Sequence, residues 1–417
     1  MKKDNKKSIN YRINEKKEFT IAQIIIFVLI IISITIVVTI FFNTIINNKN
    51  TSKTTNIVPS DISLEDFKEV YDIINDDYYK KVDKNKLIEG AINGMLKTLD
   101  DPHTMYMSQS ETESFNEIMN GSYEGIGAEI ALDSNNNVII YSVFKNSPAY
   151  EAGLKYNDII LKVNGKTTEK LSTTEVVKLI KDENYKTISI LVKRNDKQKE
   201  FKITKRIVEI QSVESKVYER NSHNIGYISI NNFANNTYNQ FKSNIEELEA
   251  KNISGLIIDV RSNTGGYLDC VSSMLDILVS KDKIIYQIQD KKTITKYKSK
   301  SEQSRNYPIV VLTDESSASA SEILAISLKE SYGADTVGKT TYGKGTVQVT
   351  KYLTNGAMVK YTIQKWLSPN GNWINKKGVV PTYETDLSEN YLKTRNEEDD
   401  SQLQKALEVI LNKILNN

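Results

Sequence analysis

Two short apolar runs place the tightest limit on this chain: GLIIDV (Gly255 to Val260) and PIVVL (Pro308 to Leu312). They are short for helices and lack the alternation of a half-exposed strand, which is the pattern of strands buried on both faces. Each leads through a loop of small residues into a helical pattern. Residues 207–387 therefore read as alternating strands and helices, an α/β core.

The rest of the 417-residue chain divides around that core. Residues 1–18 carry seven Lys/Arg and three Asp/Glu, a basic leader of +4 in a chain whose net charge is only +2. Phe19 to Ile46 is an uncharged run of 28 residues dominated by Ile, Val, Phe and Leu. About 20 apolar residues span a bilayer, so residues 19–46 are expected to form a transmembrane anchor. The basic flank predicts a cytoplasmic N-terminus and an extracytoplasmic body, a single-pass protein of the cell membrane. Residues 47–60 read as a polar linker. Residues 61–113 are helical in pattern, with Phe67, Val70, Tyr71 and Ile74 at helical spacing and a closing loop, LDDPHTMY (Leu99 to Tyr106).

Residues 114–206 carry short strands and turns: Ile126 to Leu132, Val138 to Phe144, Ile159 to Val163 with the hairpin signal Asn164-Gly165, and Ile188 to Lys193. Ser172-x-x-Glu175 is a capping box opening an amphipathic helix. Asp133 to Asn137 (DSNNN) lacks the Gly and Glu of a calcium loop and reads as a hairpin turn. In residues 388–417, Leu403, Leu407, Ile410 and Ile414 fall at helical spacing, a C-terminal helix with an apolar face.

Composition removes several functions. A single Cys (Cys270) forms no internal disulfide and no thiolate metal cage. Two His, His103 and His223, leave little for a His-rich metal site and argue against a Ser-His-Asp hydrolase. The low net charge is no footprint for nucleic acid. No cofactor or metal is called for.

Three stretches could carry chemistry. Asp314 to Glu322 (DESSASASE) places small residues between a buried strand and a helix, where a nucleophile and an N–H for an oxyanion can sit. A Ser, an Ala and a Glu are also what any helix start contains. GKTTYGKGTVQ (Gly338 to Gln348) nearly spells a phosphate loop, but Gly345 stands at the required Ser/Thr and β-prone residues follow, which excludes nucleotide binding. A lysine between two glycines instead suggests backbone packed around an amine whose pKa is lowered by desolvation, although a solvent-facing turn lysine is the commoner outcome for a lone G-K-G. DVRSNTGG (Asp259 to Gly266) supplies paired glycines for a close backbone approach, or only a tight connection.

Together and in this order, SSASASEI, TTYGKGTVQ, DVRSNTGG, LDDPHTMY, YEGIGAEI (Tyr123 to Ile130) and SPAYEAGLKYNDIILKVNG (Ser147 to Gly165) resemble the C-terminal processing peptidases, also called tail-specific proteases. The resemblance spans Phe67 to Pro381. It implies a serine endopeptidase with a PDZ domain (114–206) and a crotonase/ClpP-like peptidase core (207–387), behind the anchor and the helical region. Residue by residue it implies Ser319 as nucleophile, Lys344 as general base and Gln348 as the residue positioning that lysine. Oxyanion donors would be the N–H of Ala320 and of Gly265, preferred over Gly266. Gly125, Ile126, Gly127 and Ala128 would form the carboxylate-binding loop of the PDZ domain, which would hold the C-termini of protein or peptide substrates. The resemblance is compatible with a homodimer and a regulatory partner. His103 reads as structural and His223 as a surface residue; Glu330 is not enlisted. Four departures stand out: Ser316 for the usual Gly, Thr264 for Pro, Thr382 for Asp, and Lys181-Asp182 for an Arg-Gly turn.

Overall fold

The computed structural model describes residues 61–302 and 305–416. Two units emerge, divided after Leu87. In the first, the helix Leu64–Asp77 opens with the Ser63 capping box, in which Ser63 N–H donates to Asp66 Oδ2 at 2.7 Å and Asp66 N–H to Ser63 Oγ at 3.2 Å. The helix Lys84–Lys97 runs across the division into the second unit.

Among the described residues the second unit contains three clusters of buried apolar side chains. One belongs to a six-stranded antiparallel sheet. Its path runs Ala128–Leu132, Val138–Val143, Ile159–Val163, Thr187–Arg194 and Lys197–Thr204, with Lys166–Thr167 beside Ile159–Val163. Alternation decides which side chains enter this core. Ile188, Ile190 and Val192 are fully buried from one strand, and Val176 and Ile180 close it from the helix Thr173–Lys181. That helix begins at the expected box: Ser172 N–H donates to Glu175 Oε2 at 2.7 Å. The DSNNN turn is a hairpin held by Asp133 Oδ1, which accepts from the N–H of Asn135 and Asn137 at 2.8 Å each. Chain entry and exit pair as a short ribbon, Ser122–Gly125 with Arg206–Glu209.

The other two lie on the two faces of a six-stranded sheet ordered Val213–Arg220, His223–Ile230, Ile253–Asp259, Ile309–Thr313, Asp335–Gly338 and Tyr383–Glu384. The first pair is antiparallel and the remaining pairs are parallel. Both apolar runs of the sequence are central strands, and their period of two splits them between layers. Leu256, Ile258, Ile309 and Val311 face the helices Thr237–Glu249, Leu268–Leu278 and Ala320–Ser327. Ile257, Val310 and Leu312 face the C-terminal helix Ser401–Asn416, where Leu403, Leu407 and Ile410 are buried. The apolar stripe of the tail is thus covered by the chain's own sheet.

A second, five-stranded sheet contains Met105–Met107, Met358–Leu367, Ile284–Gln289 and Ile294–Lys298, with Thr346–Tyr352 paired to Met358–Leu367. It brings the LDDPHTMY loop and the G-K-G loop to one place.

One expectation is corrected. Among the described residues no helix is long and apolar enough to cross a membrane. The longest, Ser401–Asn416, has 16 residues, short of the ~20 a bilayer needs, and only one face is apolar. A transmembrane helix is therefore not part of the fold class established here, which is α/β with a small β-rich domain and a sheet-and-helix core. Residues 19–46, on which that expectation fell, lie outside the described residues, as do the leader and linker.

Candidate active site

Ser319 sits where the strand Ile309–Thr313 has turned, through Asp314 to Ala318, into the helix Ala320–Ser327. Its backbone is in a left-handed, strained conformation, φ 55° and ψ −113°, which a non-glycine residue holds only if its surroundings impose it. They do so through hydrogen bonds. Asp314 Oδ1 accepts from the N–H of Ser316 and Ser317 at 3.0 and 2.9 Å, and Asp314 also accepts the N–H of Ser262. Ala318 N–H and Ser321 Oγ both donate to Asn263 O, at 3.0 and 2.8 Å. The serine turn and the Arg261–Gly266 turn are thereby sewn together.

Gly265 touches the serine directly. A Cβ there would lie 2.7 Å from Ala318 O, 2.8 Å from Ser319 Cβ and 3.0 Å from Ala320 N, at φ +104°. Only glycine meets both conditions. The Gly265 N–H donates to Asn263 Oδ1 at 2.8 Å. The N–H groups of Gly266 and of Ala320, in the first turn of the helix, have no partner among the described residues.

Lys344 lies across from this turn, fixed by its backbone. Its N–H donates to Glu322 Oε2 at 2.9 Å, and its carbonyl accepts from Trp366 Nε1 at 2.7 Å. Burial, reinforced by the nearby charge of Lys360, pushes the Lys344 amine down to about 8, although the Glu322 and Asp101 carboxylates oppose the shift. Gln348, on the strand Thr346–Tyr352, donates through Nε2 to Thr346 Oγ1 at 2.8 Å and Thr362 Oγ1 at 3.0 Å. No hydrogen bond joins Ser319 Oγ to Lys344 Nζ among the described residues. In unliganded hydrolases such bonds are often long and tighten with substrate.

Glu322 is the residue that sequence reasoning left unused. It is fully buried, and its carboxylate accepts from Ser319 N–H (2.7 Å), Thr341 Oγ1 (2.5 Å), Gly343 N–H (2.7 Å) and Lys344 N–H (2.9 Å). Burial raises its pKa, while these four donors favour the ionised form. One carboxylate thus joins the serine turn to the lysine loop. The only signal was Ser319-x-x-Glu322, which has the spacing of an ordinary capping box.

His103 also differs from expectation. Rather than serving only its turn, it lines a cavity of about 890 Å³ together with Asp101, Tyr342, Gly343 and Thr362. Burial and the charge of Lys344 lower its pKa, so the ring is neutral at neutral pH. His223 begins a core strand, its Nδ1 3.3 Å from Ser254 Oγ. Glu330 accepts from Ser368 Oγ and Asn370 N–H, a structural role.

In the small β-rich domain, a groove of about 370 Å³ runs between the strand Ala128–Leu132 and the helix Thr173–Lys181. Gly125, Ile126, Ala128, Ile130, Val177 and Ile180 line it. The strand is the outermost of its sheet, so it offers an unpaired edge. Gly127 is held in place because its carbonyl accepts from Phe144 N–H and Ser147 Oγ, at 3.0 and 2.9 Å.

An α/β core presenting a strained serine near a buried lysine, with a groove along an open sheet edge in a second domain, is the arrangement of a serine-type peptidase of the PDZ-containing kind. Residues 224–385 match the sequence profile of peptidase family S41, residues 139–194 that of a PDZ domain, and residues 39–112 that of the activating protease CtpB N-terminal domain. The chain is 41% identical over 325 residues to the carboxy-terminal processing protease CtpB of Bacillus subtilis, covering 77% of this chain and 68% of that protein. It is 36% identical over 329 residues to carboxy-terminal processing protease CtpA of the same organism, covering 78% and 70%. A solved structure from Bacteroides fragilis assigned to the S41 proteases shares the fold at 16% identity, with a TM-score of 0.50 over 87% of this chain and 99% of that one. The chain belongs to the C-terminal processing proteases of peptidase family S41.

Proposed function

We propose that this peptidase cleaves near the C-termini of protein or peptide substrates with a Ser319/Lys344 dyad. The observation that carries the reading is the buried Glu322 carboxylate, which accepts from Ser319 N–H at 2.7 Å and Lys344 N–H at 2.9 Å and so holds the strained serine turn against the loop of a lysine whose pKa burial lowers. A neutral Lys344 removes the Ser319 hydroxyl proton as Oγ attacks the scissile carbonyl. The tetrahedral oxyanion is met by Ala320 N–H and by the Gly265-Gly266 turn, where Gly265 N–H exchanges Asn263 Oδ1 for the oxyanion or Gly266 N–H donates. The protonated Lys344 returns its proton to the leaving amine. Water, deprotonated by the same lysine, then hydrolyses the acyl-enzyme. Gln348 holds the lysine in the orientation this transfer needs.

The PDZ domain selects chain ends. A substrate tail adds as a strand to the open edge Ala128–Leu132, with its carboxylate at the Gly125-Ile126-Gly127-Ala128 loop and its last side chain among Ile126, Val177 and Ile180. An apolar last residue suits that lining.

The test is cleavage of a peptide with a free C-terminus, and of its C-terminally amidated twin, by the full-length chain. Ser319→Ala and Lys344→Ala should each abolish acyl-enzyme formation without changing the melting temperature. The amidated twin should bind at least tenfold more weakly. Cleavage by both variants at the normal rate would remove the dyad, and equal affinity for the two peptides would remove the PDZ role.

A further inference from the structure

Among the described residues, five strands of five residues or more lie outermost in their sheets: Ala128–Leu132, Lys197–Thr204, Val213–Arg220, Ile294–Lys298 and Thr346–Tyr352. A free edge invites another chain, and proteins usually blunt it with charged side chains. Three of the five follow that rule with two or more charged residues. Ala128–Leu132 has only Glu129, and Thr346–Tyr352 only Lys351, after the uncharged run Thr346 to Thr350. The first is the edge of the groove in the small β-rich domain. The second leaves the lysine loop directly, with Gly345 the one residue between Lys344 and the strand.

Register decides which backbone groups of that second strand are open. Its only partner strand among the described residues is Met358–Leu367. In an antiparallel pair, residues alternate: one turns both its N–H and its C=O to the partner, and the next turns both away. At one end Leu353 N–H donates to Ala357 O at 2.8 Å, so Leu353 faces inward and Tyr352, paired with Met358, faces out. In the middle Gln348 pairs with Thr362, whose N–H points away from this strand and donates to Thr104 Oγ1 at 3.2 Å. At the other end Trp366 N–H donates to Gly345 O at 3.2 Å, so Gly345 faces inward and Thr346 out. These three contacts agree across the bulge at Ile363. Val347, Val349 and Lys351 face the partner strand, while Thr346, Gln348, Thr350 and Tyr352 turn their N–H and C=O to the free edge.

Seven residues of strand span ~23 Å. The open edge runs from the loop of Lys344 to Tyr352, whose hydroxyl donates to Asn116 Oδ1 at 2.9 Å on the helix Gln109–Asn120. That helix ends at Gly121, and the chain enters the PDZ domain as Ser122–Gly125. The edge therefore begins at the lysine loop and ends against the helix that leads into the domain with the groove. We propose that the free edge of Thr346–Tyr352 binds the substrate chain, the extended stretch adjoining the scissile bond adding as a further strand through the backbone N–H and C=O of Gln348 and Thr350. This rests on Ser319 and Lys344 being the catalytic pair. It gives the enzyme a second place of strand addition, one that recognises backbone and not side chains. The substrate must be extended there, so helical stretches, and stretches with proline at positions facing the edge, resist cleavage.

The experiment measures kcat/KM of the full-length chain for a free-ended peptide and for versions carrying one N-methyl residue. The methyl group is placed in turn at about four positions on each side of the scissile bond, with the scissile amide and the last few residues unmodified. Each methyl removes one donor and blocks pairing on that side of the peptide. On at least one side of the scissile bond, kcat/KM should fall at least tenfold at every second position and stay within about threefold between them. Thr350→Pro removes an outward N–H and no ladder bond, so it should fold and lose at least tenfold in kcat/KM. Thr350→Val keeps the N–H and should stay within about threefold of the unaltered chain. A flat N-methyl scan overturns the proposal, whether or not Thr350→Pro folds, because the scan uses the unaltered chain. A second copy of the chain paired on this edge would give that flat scan together with altered sedimentation in Thr350→Pro. Ser319→Ala run alongside keeps the two readings apart. Cleavage by that variant strikes the dyad itself, whereas an inactive Ser319→Ala beside a flat scan strikes only the edge.

Discussion

In the PDZ domain the groove walls stand on an apolar core, with Ile188, Ile190 and Val192 fully buried. The turns around Ser319 are instead built on Asn263, Ser317, Ser321 and Glu322, equally buried and all polar. On the proposed function, in which the groove holds a substrate tail and Ser319 is the nucleophile, the difference follows from what each must hold. A peptide added to a sheet edge needs a rigid strand and an open backbone, and apolar packing supplies both without specifying any single atom. A nucleophile in a strained turn must be placed to a fraction of an ångström. Directional hydrogen bonds between segments far apart in sequence do that, provided each buried group is satisfied. These turns follow that rule: Asn263 donates to Ile230 O at 2.7 Å and accepts at both of its oxygens, and all four acceptor contacts of Glu322 are filled.

The contrast can be broken or sharpened by substitution. The largest effect should come from Lys344→Arg. Guanidinium is never neutral in this pH range, so kcat should fall on the order of 10⁴-fold, close to the loss in Ser319→Ala, with unchanged thermal unfolding. Next comes Glu322→Ala, which strands four buried donors. Chemical denaturation should show a loss of about 3 kcal/mol or more, and the remaining folded protein should be nearly inactive. A stable, active Glu322→Ala would show that the polar support around Ser319 is dispensable and the contrast false. In the groove, Val177→Asp should raise KM for a free-ended peptide at least tenfold and leave its kcat within about threefold, measured by steady-state kinetics. A fall in kcat with normal KM would mean that the groove serves chemistry instead. The smallest change is expected from Lys181→Met. It removes a half-exposed pair with Glu117 at 2.5 Å and a cation over Tyr123 at 5.5 Å, worth up to about 1 kcal/mol in unfolding experiments.

The same contrast explains what could be read from the sequence. Apolar patterning is local, so the central strands Ile253–Asp259 and Ile309–Thr313, the hairpin at Asn164-Gly165 and the box at Ser172 were all legible. The serine and lysine stretches stood out as short motifs, but an ordinary helix start and an ordinary turn explained them as well, and only the family resemblance gave them roles, which remain proposals. The cross-links were not legible. Glu322 looked like any helix-capping glutamate, and nothing in the sequence tied it to Thr341 or Gly343. Thr104 accepts the Thr362 N–H only because Met105–Met107 pairs with Met358–Leu367. His103 read as part of its own turn because the wall it faces, Tyr342, lies more than two hundred residues away; their rings meet edge to face at 6.2 Å. The apolar stripe of the C-terminal helix was visible, but the sheet face it covers was not.

The central claim is that a lysine made neutral by burial is the base for Ser319. Its most direct test is the pH dependence of kcat/KM for a free-ended peptide, with acylation followed in single turnover. Lys344 is depressed by burial to about 8. The base is therefore protonated and inactive below that pH, and the rate should rise with pH as one proton is lost, with a midpoint near 8. His103→Gln should leave that midpoint within about half a unit, since the shift of Lys344 comes first from burial. A midpoint near 6 that disappears in His103→Gln would make the imidazole the base and contradict the account.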